Sequence, residues 1–274
     1  MSKVWFVTGA GSGIGAGTAK AALAAGDQVV ATGRNLQKVR NALGQDAGTQ
    51  LALAQLDVTD EVQAHAAVQA AVARFGRVDV LVNNAGYSLL GNFEELAKVE
   101  VERQFATNFW GVANVLRAAL PVMRRQRAGY ILNISSVAGV TGQKHCAAYG
   151  ASKFAVEGLS LALQQEVDQF GIAITLVEPG FFQTELLDAR NVKYAESVIA
   201  DYAAEGSAEA MWSPYDGKQT GDPAKLGEAL VQLSRMASPP KVFAAGADAL
   251  EAIRPVLESR LADMQAHQEL SAAM

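Results

Sequence analysis

Cysteine is almost absent from this 274-residue chain, in which Cys146 is the only one. A single cysteine excludes an internal disulfide, and a chain without disulfides is typical of a reducing compartment. No apolar run approaches the roughly 18 residues that a membrane helix needs, so no transmembrane span is expected. The opening stretch MSKVWFVTGA also lacks the hydrophobic segment of a secretory signal. These absences predict a cytoplasmic protein with no membrane partner.

Positive charge and histidine are scarce as well. The 23 lysines and arginines are outnumbered by 28 acidic residues, giving a net charge of −5. No basic face for a nucleic acid is therefore expected, and the RRQR cluster at 124–127 is interpreted as a solvated helix end. Three scattered histidines predict no metal site. Half of the residues are hydrophobic, which is enough to fill a sizeable core in one large domain.

Short β-branched runs alternate with longer alanine-rich stretches along the chain. Strands are predicted at 3–7, 28–32, 50–56, 78–82, 130–134, 172–177 and 241–246. Helices are predicted at 13–26, 36–43, 61–76, 101–123, 147–171, 223–237 and 249–270. Because the strands are apolar throughout, the pattern predicts an α/β fold with a parallel sheet covered on both faces. We expect a single domain over residues 1–274.

The periodic pattern stops between about 184 and 221. This segment carries several large side chains, namely Tyr194, Tyr202, Met211, Trp212 and Tyr215. They either line an apolar substrate pocket or anchor a surface segment to the core, and the sequence favours neither reading. We expect the segment to cover the substrate.

A glycine-rich stretch, VTGAGSGIG at 7–15, lies between the first predicted strand and the first predicted helix. Glycines at this position permit a tight turn and the close approach of a phosphate, and the helix N-terminus offers free amide groups to it. The alternative is a plain strand-to-helix turn, but the position after the first strand of an α/β chain favours a dinucleotide site.

The second predicted strand ends in the sequence ATGRN at 31–35, which contains no acid. In proteins that use NAD, an acid at this point typically binds the adenosine ribose. Arg34 can instead pair with a 2′-phosphate, although an arginine that merely starts a helix remains an alternative. The sequence therefore predicts NADP (NADPH) in preference to NAD.

Several motifs in order resemble those of the short-chain dehydrogenase/reductase family. They are TGAGSGIG (8–15), Asp57-Val58, NNAG (83–86), Asn108 within TNFWG, ISS (134–136), YGASK (149–153) and PGFFQT (179–184). The resemblance covers at least residues 3–184 and implies a Rossmann-type, doubly wound parallel sheet of about seven strands. It also implies an oxidoreductase that interconverts a secondary alcohol with a ketone or aldehyde, working as a homodimer or homotetramer.

The same resemblance implies roles for individual residues. The catalytic set is Asn108, Ser136, Tyr149 and Lys153, with Asn108 implied to hold a helix kink and a water relay. The cofactor-binding set, to which the charge argument adds Arg34, is Gly9, Ser12, Gly13, Ile14, Gly15, Arg34, Asp57, Val58, Asn84, Ala85, Gly86, Tyr149, Lys153, Pro179, Gly180 and Thr184. An alternative for the asparagine pair at 83–84 is that it mainly stabilises the sheet edge.

The spacing of Ser136, Tyr149 and Lys153 suits the reduction of a carbonyl group. The cofactor supplies a hydride, and the protein must supply a proton. Lys153 lies four residues after Tyr149 on one helical face, so we expect its ammonium to lower the phenol's pKa from about 10. Ser136, just past a strand, can donate a hydrogen bond to the substrate oxygen. An exposed Tyr–Lys pair on a helix surface is the alternative.

Two other functions fit the same fold. One is a catalytically silent sensor that binds a dinucleotide, and the intact Ser136–Tyr149–Lys153 set argues against it. The other is a non-redox lyase like the halohydrin dehalogenases, which have arginine in place of Lys153 and lack the glycine turn. Around EPGFF and SKFAVEGLSLAL the sequence is similar to reductases of steroids, retinol and ketones, which implies a small or medium apolar substrate.

Overall fold

Seven parallel strands form the central sheet in the computed structural model, which describes residues 2–44, 48–196 and 198–274. The strands of this sheet are β1 (Val4–Val7), β2 (Gln28–Gly33), β3 (Leu51–Gln55), β4 (Val80–Asn83), β6 (Gly129–Ile134), β7 (Ile172–Pro179) and β9 (Val242–Ala245), in the spatial order β3-β2-β1-β4-β6-β7-β9. A separate pair joins β5 (Leu89–Leu90) to β8 (Lys193–Tyr194). Each predicted strand of the main sheet is confirmed.

Helices flank the sheet and follow the strands in alternation. They are α1 (Gly13–Ala24), α2 (Leu36–Leu43), α3 (Glu61–Phe75), α4 (Lys98–Phe105), α5 (Gly111–Gln126), α6 (Ala147–Val167), α7 (Ala200–Ala203), α8 (Ala208–Trp212), α9 (Pro223–Ser234), α10 (Ala247–Ala266) and α11 (Gln268–Ala272). Among the described residues, none of the helices is both long and apolar enough to span a membrane.

The two faces of the sheet bury separate apolar cores. Phe6, Leu81 and Ile131 point to the face covered by α3, α5 and α6, whereas Trp5 and Leu132 point to the face covered by α1 and α9. A strand buried on both sides has no polar alternation, which explains the uniformly apolar runs in the sequence. The expected α/β fold, a doubly wound Rossmann-type sheet of seven strands in a single domain, is confirmed.

The contact between α1 and α9 is close enough to exclude side chains. A Cβ added at Gly17 would lie 2.3 Å from Pro223 O, and one added at Gly227 would lie 2.5 Å from Gly17 O. Two glycines thus let the helix backbones touch, which fixes α1 and the glycine-rich turn before it.

The helix predicted at 101–123 is present within a continuous helical stretch over 98–126, but it is not regular. A π-helical turn at Ala106–Trp110 separates α4 from α5. Pro121 lies inside α5 and does not end it. The extra residue per turn follows from tertiary hydrogen bonds made by Asn108, which a helical pattern in the sequence does not reveal.

Strand order reverses between β1 and β4, because β2 and β3 extend to one side and β6, β7 and β9 to the other. In open parallel sheets a crevice forms at such a switch point, outside the carboxyl ends of the strands. The loops that follow β1, β2, β4, β6 and β7 all reach this crevice, so they bring distant parts of the chain together.

Candidate active site

A cavity of about 840 Å³ occupies the crevice at the switch point. Its walls include most of the predicted site residues, namely Gly9, Ser12, Gly13, Ile14, Arg34, Asp57, Val58, Asn84, Ala85, Gly86, Ser136, Tyr149, Lys153, Pro179, Gly180 and Thr184. Two predicted residues, Gly15 and Asn108, lie behind the wall. The volume is at the upper end of the range for ligand sites in proteins, about 300–1,000 Å³.

The glycine-rich turn forms the floor at the N-terminus of α1. Gly9 and Gly13 have φ angles of 64° and 53°, which glycine adopts without strain. A Cβ at Gly9 would lie 2.9 Å from Asn84 Nδ2, and one at Gly13 would lie 2.9 Å from Thr184 Cγ2. Ser12 precedes the helix but makes no capping hydrogen bond, so the first-turn amides of α1 are available to an anion. These features fit a dinucleotide phosphate.

Asn84 has a structural role that its predicted place in the cofactor set did not include. Its amide donates to Thr8 O (3.0 Å) and Gly9 O (3.2 Å), and its backbone N donates to Thr8 Oγ1 (2.9 Å). Ala85 N donates to the same hydroxyl at 3.1 Å. Thr8, which sequence reasoning missed, therefore ties the end of β4 to the turn after β1.

The first and last residues of the NNAG motif, Asn83 and Gly86, contact other parts of the interior. Asn83 is buried and donates from Nδ2 to Asn133 Oδ1 at 2.8 Å. A Cβ at Gly86 would lie 3.1 Å from Asn108 Oδ1 and 3.8 Å from Lys153 Nζ. Glycine at position 86 thus keeps the backbone close to two predicted catalytic side chains.

One end of the cavity carries exposed cationic side chains. Arg34 ends β2 with an exposed side chain, and Lys38 lies one turn into α2. The Lys38 ammonium crosses the cavity to form an ion pair with Glu185, and this holds the pKa of Glu185 below its usual range. Asp57 accepts hydrogen bonds from Thr59 N (3.0 Å) and Thr59 Oγ1 (2.8 Å). This end can hold a phosphate through Arg34 and Lys38.

Ser136, Tyr149 and Lys153 meet at the centre of the cavity. Ser136 lies two residues past the end of β6, and its Oγ accepts a hydrogen bond from Ala138 N at 3.1 Å. Tyr149 and Lys153, exposed by 7% and 6%, point from α6 into the wall of the cavity. The sequence placed the three groups on a strand end and a helix, and the structure brings them together.

Burial sets the protonation of this centre. It raises the pKa of Tyr149 to about 12, with the Ser136 side chain opposing the rise and Cys146 adding to it. Lys153 does not lower this pKa as we expected, because Nζ donates to Ile134 O at 2.8 Å and lies 5.8 Å from the centre of the phenol ring. Burial also lowers the pKa of Lys153 to about 8, against the opposing charge of Glu157.

Asn108 lies in the π-helical turn with 1% of its surface exposed. Its Oδ1 accepts from Tyr87 N at 3.2 Å, and its Nδ2 donates to Tyr87 O and to Ser152 Oγ, both at 3.1 Å. Ser152 Oγ in turn donates to Tyr149 O at 2.7 Å. The irregular helix that the resemblance implied is present, and Asn108 connects it to the segment of α6 that carries Tyr149.

The turn after β7 is held by a residue that sequence reasoning missed. Asp248, in the first turn of α10, accepts a hydrogen bond from Phe181 N at 2.6 Å. A Cβ added at Gly180 would lie 2.3 Å from its carboxylate. The Pro179–Gly180 turn is therefore fixed against α10, and the loop from it carries Thr184 over the glycine-rich turn.

Aromatic side chains form one wall at the outer end. Phe181 stacks on Trp212 and Tyr215, with ring centroids 6.1 and 5.3 Å apart. Phe181 and Trp212 line the cavity, whereas Tyr202 bonds to Glu94 Oε2 at 2.7 Å on the surface. Some large side chains of the 184–221 segment thus line the cavity, whereas others lie on the surface. Position 197 lies outside the described residues.

Other lining residues had no motif to reveal them. Cys146 lines the cavity, and burial raises the pKa of its thiol to about 12, so it stays protonated and unreactive. Further side chains on the wall are Tyr87, Leu90, Arg103, Gln143, Leu187 and Gln219. They come from five separate segments, and only the tertiary fold collects them.

Known proteins resemble this chain in sequence over most of its length. The family model for short chain dehydrogenases matches residues 3–195. An uncharacterized oxidoreductase of Schizosaccharomyces pombe is 40% identical over 250 residues, covering 90% of this chain and 83% of that protein. The 3-ketodihydrosphingosine reductase of Bacteroides thetaiotaomicron is 38% identical, covering 87% of this chain and 86% of that protein.

Solved structures show the same architecture. A short-chain dehydrogenase from Streptomyces avermitilis superposes with a TM-score of 0.90 at 35% identity, covering 100% of this chain and 98% of that one. ElxO, solved with NADP bound, has a TM-score of 0.73 at 29% identity, and the match covers 89% of this chain and 96% of ElxO. A Burkholderia phymatum enzyme solved with NAD has a TM-score of 0.80 at 26% identity, covering 98% and 95%. Structural neighbours thus bind either dinucleotide.

Proposed function

The chain belongs to the short-chain dehydrogenase family, and from this premise we propose that it interconverts a secondary alcohol with a ketone or aldehyde using NADP(H). The observation that carries the proposal is the meeting of Ser136, Tyr149 and Lys153 in one cavity with the glycine-rich turn. A hydroxyl, a phenol and an ammonium are the groups that proton transfer to a carbonyl oxygen requires. A protein that only sensed the dinucleotide would need none of them.

Tyr149 is the proposed acid/base. Its phenol stays protonated across the physiological range because burial raises its pKa to about 12, so it is the proton donor to the carbonyl oxygen in the reductive direction. Ser136 donates a hydrogen bond to the same oxygen and polarises the carbonyl. A bound nicotinamide supplies the hydride.

Lys153 and Asn108 support this centre. With a pKa of about 8, Lys153 is an ammonium at neutral pH and can donate to ribose hydroxyls of the dinucleotide. Asn108 holds the π-helical turn and, through Ser152, the backbone of Tyr149. We include Asn108 in the proton path proposed for the family, because it lies next to Gly86 beside Lys153.

The remaining predicted residues are proposed to hold the dinucleotide. The α1 N-terminus receives the pyrophosphate, Asp57 and Val58 border the adenine, and Thr184 reaches the nicotinamide end above Gly13. Gly15, behind the wall, shapes the turn instead of touching a ligand.

A panel of ketones and aldehydes tests the function. Oxidation of NADPH is followed at neutral pH, and the reverse reaction is followed with the corresponding alcohols. We expect turnover of at least one apolar ketone, and a large loss of kcat in Ser136→Ala with little change in NADPH affinity. Ser234→Ala, a buried serine at the end of α9, is the matched control. Absence of hydride transfer with every compound in both directions would contradict the proposal.

The preference for NADP over NAD rests on the absence of an acid at 31–35, after β2, and on Arg34. Its guanidinium is exposed at the end of β2, and Lys38 adjoins it on the same wall of the cavity. Dissociation constants for NADPH and NADH can be compared by protein fluorescence. We expect NADPH to bind more tightly, and Arg34→Ala to weaken NADPH about tenfold or more while leaving NADH nearly unchanged, as loss of a charge-assisted pair predicts. Tighter binding of NADH to the unmodified protein would overturn the preference.

The substrate is proposed to be apolar. Phe181 and Trp212 supply a flat apolar wall, and Leu90 and Leu187 add aliphatic surface. The Bacteroides relative is a 3-ketodihydrosphingosine reductase, a name that denotes reduction of a keto group, and this supports the same class of reaction. We therefore propose that the 184–221 segment covers a substrate whose apolar body lies against these side chains.

Assembly and location are proposed on separate grounds. Trp110, in the π-helical turn, exposes 57% of its surface, and Phe154 and Leu161, on α6, expose 38% and 50%. This pattern supports a homodimer or homotetramer formed through these two helical segments. Light scattering of Trp110→Asp tests this, with a shift to a smaller species expected. The single cysteine supports a reducing, cytoplasmic location.

A further inference from the structure

Three buried polar side chains lie behind the catalytic centre and have no part in the chemistry described above. Ser135, Glu157 and Glu178 expose 3%, 9% and 4% of their surface. A carboxyl group this deeply buried is rare unless it is paired. In the part of the chain that the structure describes, neither carboxylate forms an ion pair within 4 Å.

Glu157 lies between Lys153 and the turn that follows Ser136. It comes four residues after Lys153 on α6, and therefore on the same helical face. A Cβ added at Gly139 would lie 2.5 Å from Ser135 Oγ and 3.3 Å from Glu157 Oε1, so both side chains converge on this glycine. Neither Ser135 Oγ nor Glu157 Oε1 has a hydrogen-bond partner among the described residues.

Glu178 approaches the same space from β7. Side chains alternate along this strand, and Ile174 and Leu176 belong to the core beneath α6, whereas Val177 belongs to the opposite core. Glu178 therefore points to the α6 side. Because Ser135 N donates to Val177 O at 2.7 Å, Glu178 lies beside Ser135 on the neighbouring strand. Two carboxyl groups thus face one buried space behind the serine loop.

We propose that Glu157 and Glu178 form a buried carboxyl pair that carries a single negative charge, and that this charge on Glu157 holds Lys153 in its ammonium form. Glu157 is then a positioning residue for the reaction. The statement about Lys153 rests on the proposed function, whereas the shared charge does not.

The electrostatics support this arrangement. Burial raises the pKa of Glu157 to about 7, while Ser135 and the Lys153 charge oppose the rise. Burial raises the pKa of Glu178 to about 7, and the charge of Glu157 adds to it. Two like charges in one dry site do not both ionise readily, so a proton stays in the pair near neutral pH.

Few other titratable groups lie near the two carboxyls in the part of the chain that the structure describes. On α6 the titratable neighbours are Lys153 and Tyr149, whose phenol is uncharged near neutral pH. The turn Val137–Gly139 carries no charge. From α10, Asp248 is already bound to Phe181 N. Lys153 is therefore the cation that responds to the charge on Glu157.

The shared charge is tested without any activity measurement. Protein labelled with ¹³C in the glutamate carboxyls is titrated by NMR, using Glu157→Gln, Glu178→Gln and the exposed control Glu166→Gln on the same helix. We expect two coupled carboxyls that titrate near neutral pH in the unmodified protein and in the control. In Glu178→Gln the remaining carboxyl should titrate about one pH unit lower, because the like charge is gone. An unchanged Glu157 titration in Glu178→Gln would overturn the shared charge.

The effect on Lys153 is tested by the pH profile of kcat/KM. For reduction, kcat/KM should fall at basic pH, as Lys153 loses its proton. Glu157→Gln should move this basic limb down by about one pH unit, and Glu178→Gln, which concentrates the charge on Glu157, should move it up by a few tenths. Shifts of opposite sign are not expected from a packing defect.

Each outcome has a distinct meaning. A Glu157→Gln profile that superimposes on that of the unmodified protein, whatever its kcat, would overturn the positioning role. If Glu157→Gln does not fold, Glu178→Gln serves instead. A basic limb of its kcat/KM profile that stays in place or moves to lower pH would also overturn the positioning role of Glu157. Absence of turnover in every form would refute the proposed function, and the NMR titration would still decide the shared charge.

Discussion

Replacing Asn108 by leucine should destabilise the protein strongly. The two side chains have similar volume, so the change removes hydrogen bonds with little loss of packing. Three bonds disappear, two to the backbone of Tyr87 and one to Ser152 Oγ. The Tyr87 carbonyl keeps a partner in Gln104 Nε2 at 2.8 Å, and Ser152 still donates to Tyr149 O. Tyr87 N, a partly buried donor, is the group left without a partner.

The expected loss of stability is larger for Tyr87 N, which is left without a partner, than for the groups that keep one. An unsatisfied buried donor costs about 1–3 kcal/mol, and each of the other lost bonds costs about 0.5–1.5 kcal/mol. We therefore expect the free energy of unfolding to fall by about 2–6 kcal/mol. Urea unfolding followed by tryptophan fluorescence measures this, with Asn41→Leu, an exposed asparagine on α2, as the control that should change by less than about 0.5 kcal/mol. A loss as small in Asn108→Leu as in the control would refute the hydrogen-bond argument.

Three further predictions concern packing, substrate contact and pH. Gly227→Ala should lower the urea midpoint although alanine favours helices, because its Cβ would lie 2.5 Å from a backbone oxygen of α1; a raised midpoint would contradict the close crossing. Trp212→Ala should raise KM for an apolar substrate several-fold with little change in kcat, whereas Phe93→Ala, an exposed aromatic outside the cavity, should leave KM unchanged. Equal KM values in the two variants would exclude the aromatic wall as a contact. Glu157 and Glu178 have pKa values raised from 4.5 to about 7, so the stability they contribute at low pH is lost as pH rises through this range. Urea unfolding at pH 5, 6, 7 and 8 should show this fall, and Glu157→Gln should flatten it; a parallel fall in the variant would contradict the assignment.

The sheet could be read from the sequence because its signals are local. Each strand is a short apolar run, and each is bounded by a turn or a helix with its own pattern. The predicted ends lie within about two residues of the observed ones. The periodic pattern of the sequence could not predict the π-helical turn at Ala106–Trp110. This turn depends on bonds from Asn108 to Tyr87, 21 residues away in sequence.

Some residues of the candidate site could also be predicted from the sequence, and others could not. Motifs located Gly9, Ser136, Tyr149 and Lys153, since each lies at a strand end or on a helix whose position the α/β pattern fixes. No motif indicated Asp248, which contacts its partner across 67 residues of sequence. Contacts of this kind form only when the chain is folded.

Protonation was the least predictable feature of the site. Spacing placed Lys153 on the same helical face as Tyr149, and this was confirmed. The direction of its ammonium was not encoded in the spacing, because the carbonyl of Ile134 competes for it. Burial then outweighs charge in setting the pKa of Tyr149, and the depth of burial is a property of the whole fold.

The central claim is that Tyr149 passes a proton to a substrate beside a bound dinucleotide. The most direct test compares Tyr149→Phe with the unmodified protein in two measurements on one preparation, the NADPH dissociation constant and kcat for a ketone substrate. We predict an unchanged dissociation constant and a loss of kcat of about 10²-fold or more, the usual contribution of a positioned acid or base. Retention of kcat in Tyr149→Phe, with NADPH bound normally, would contradict the account.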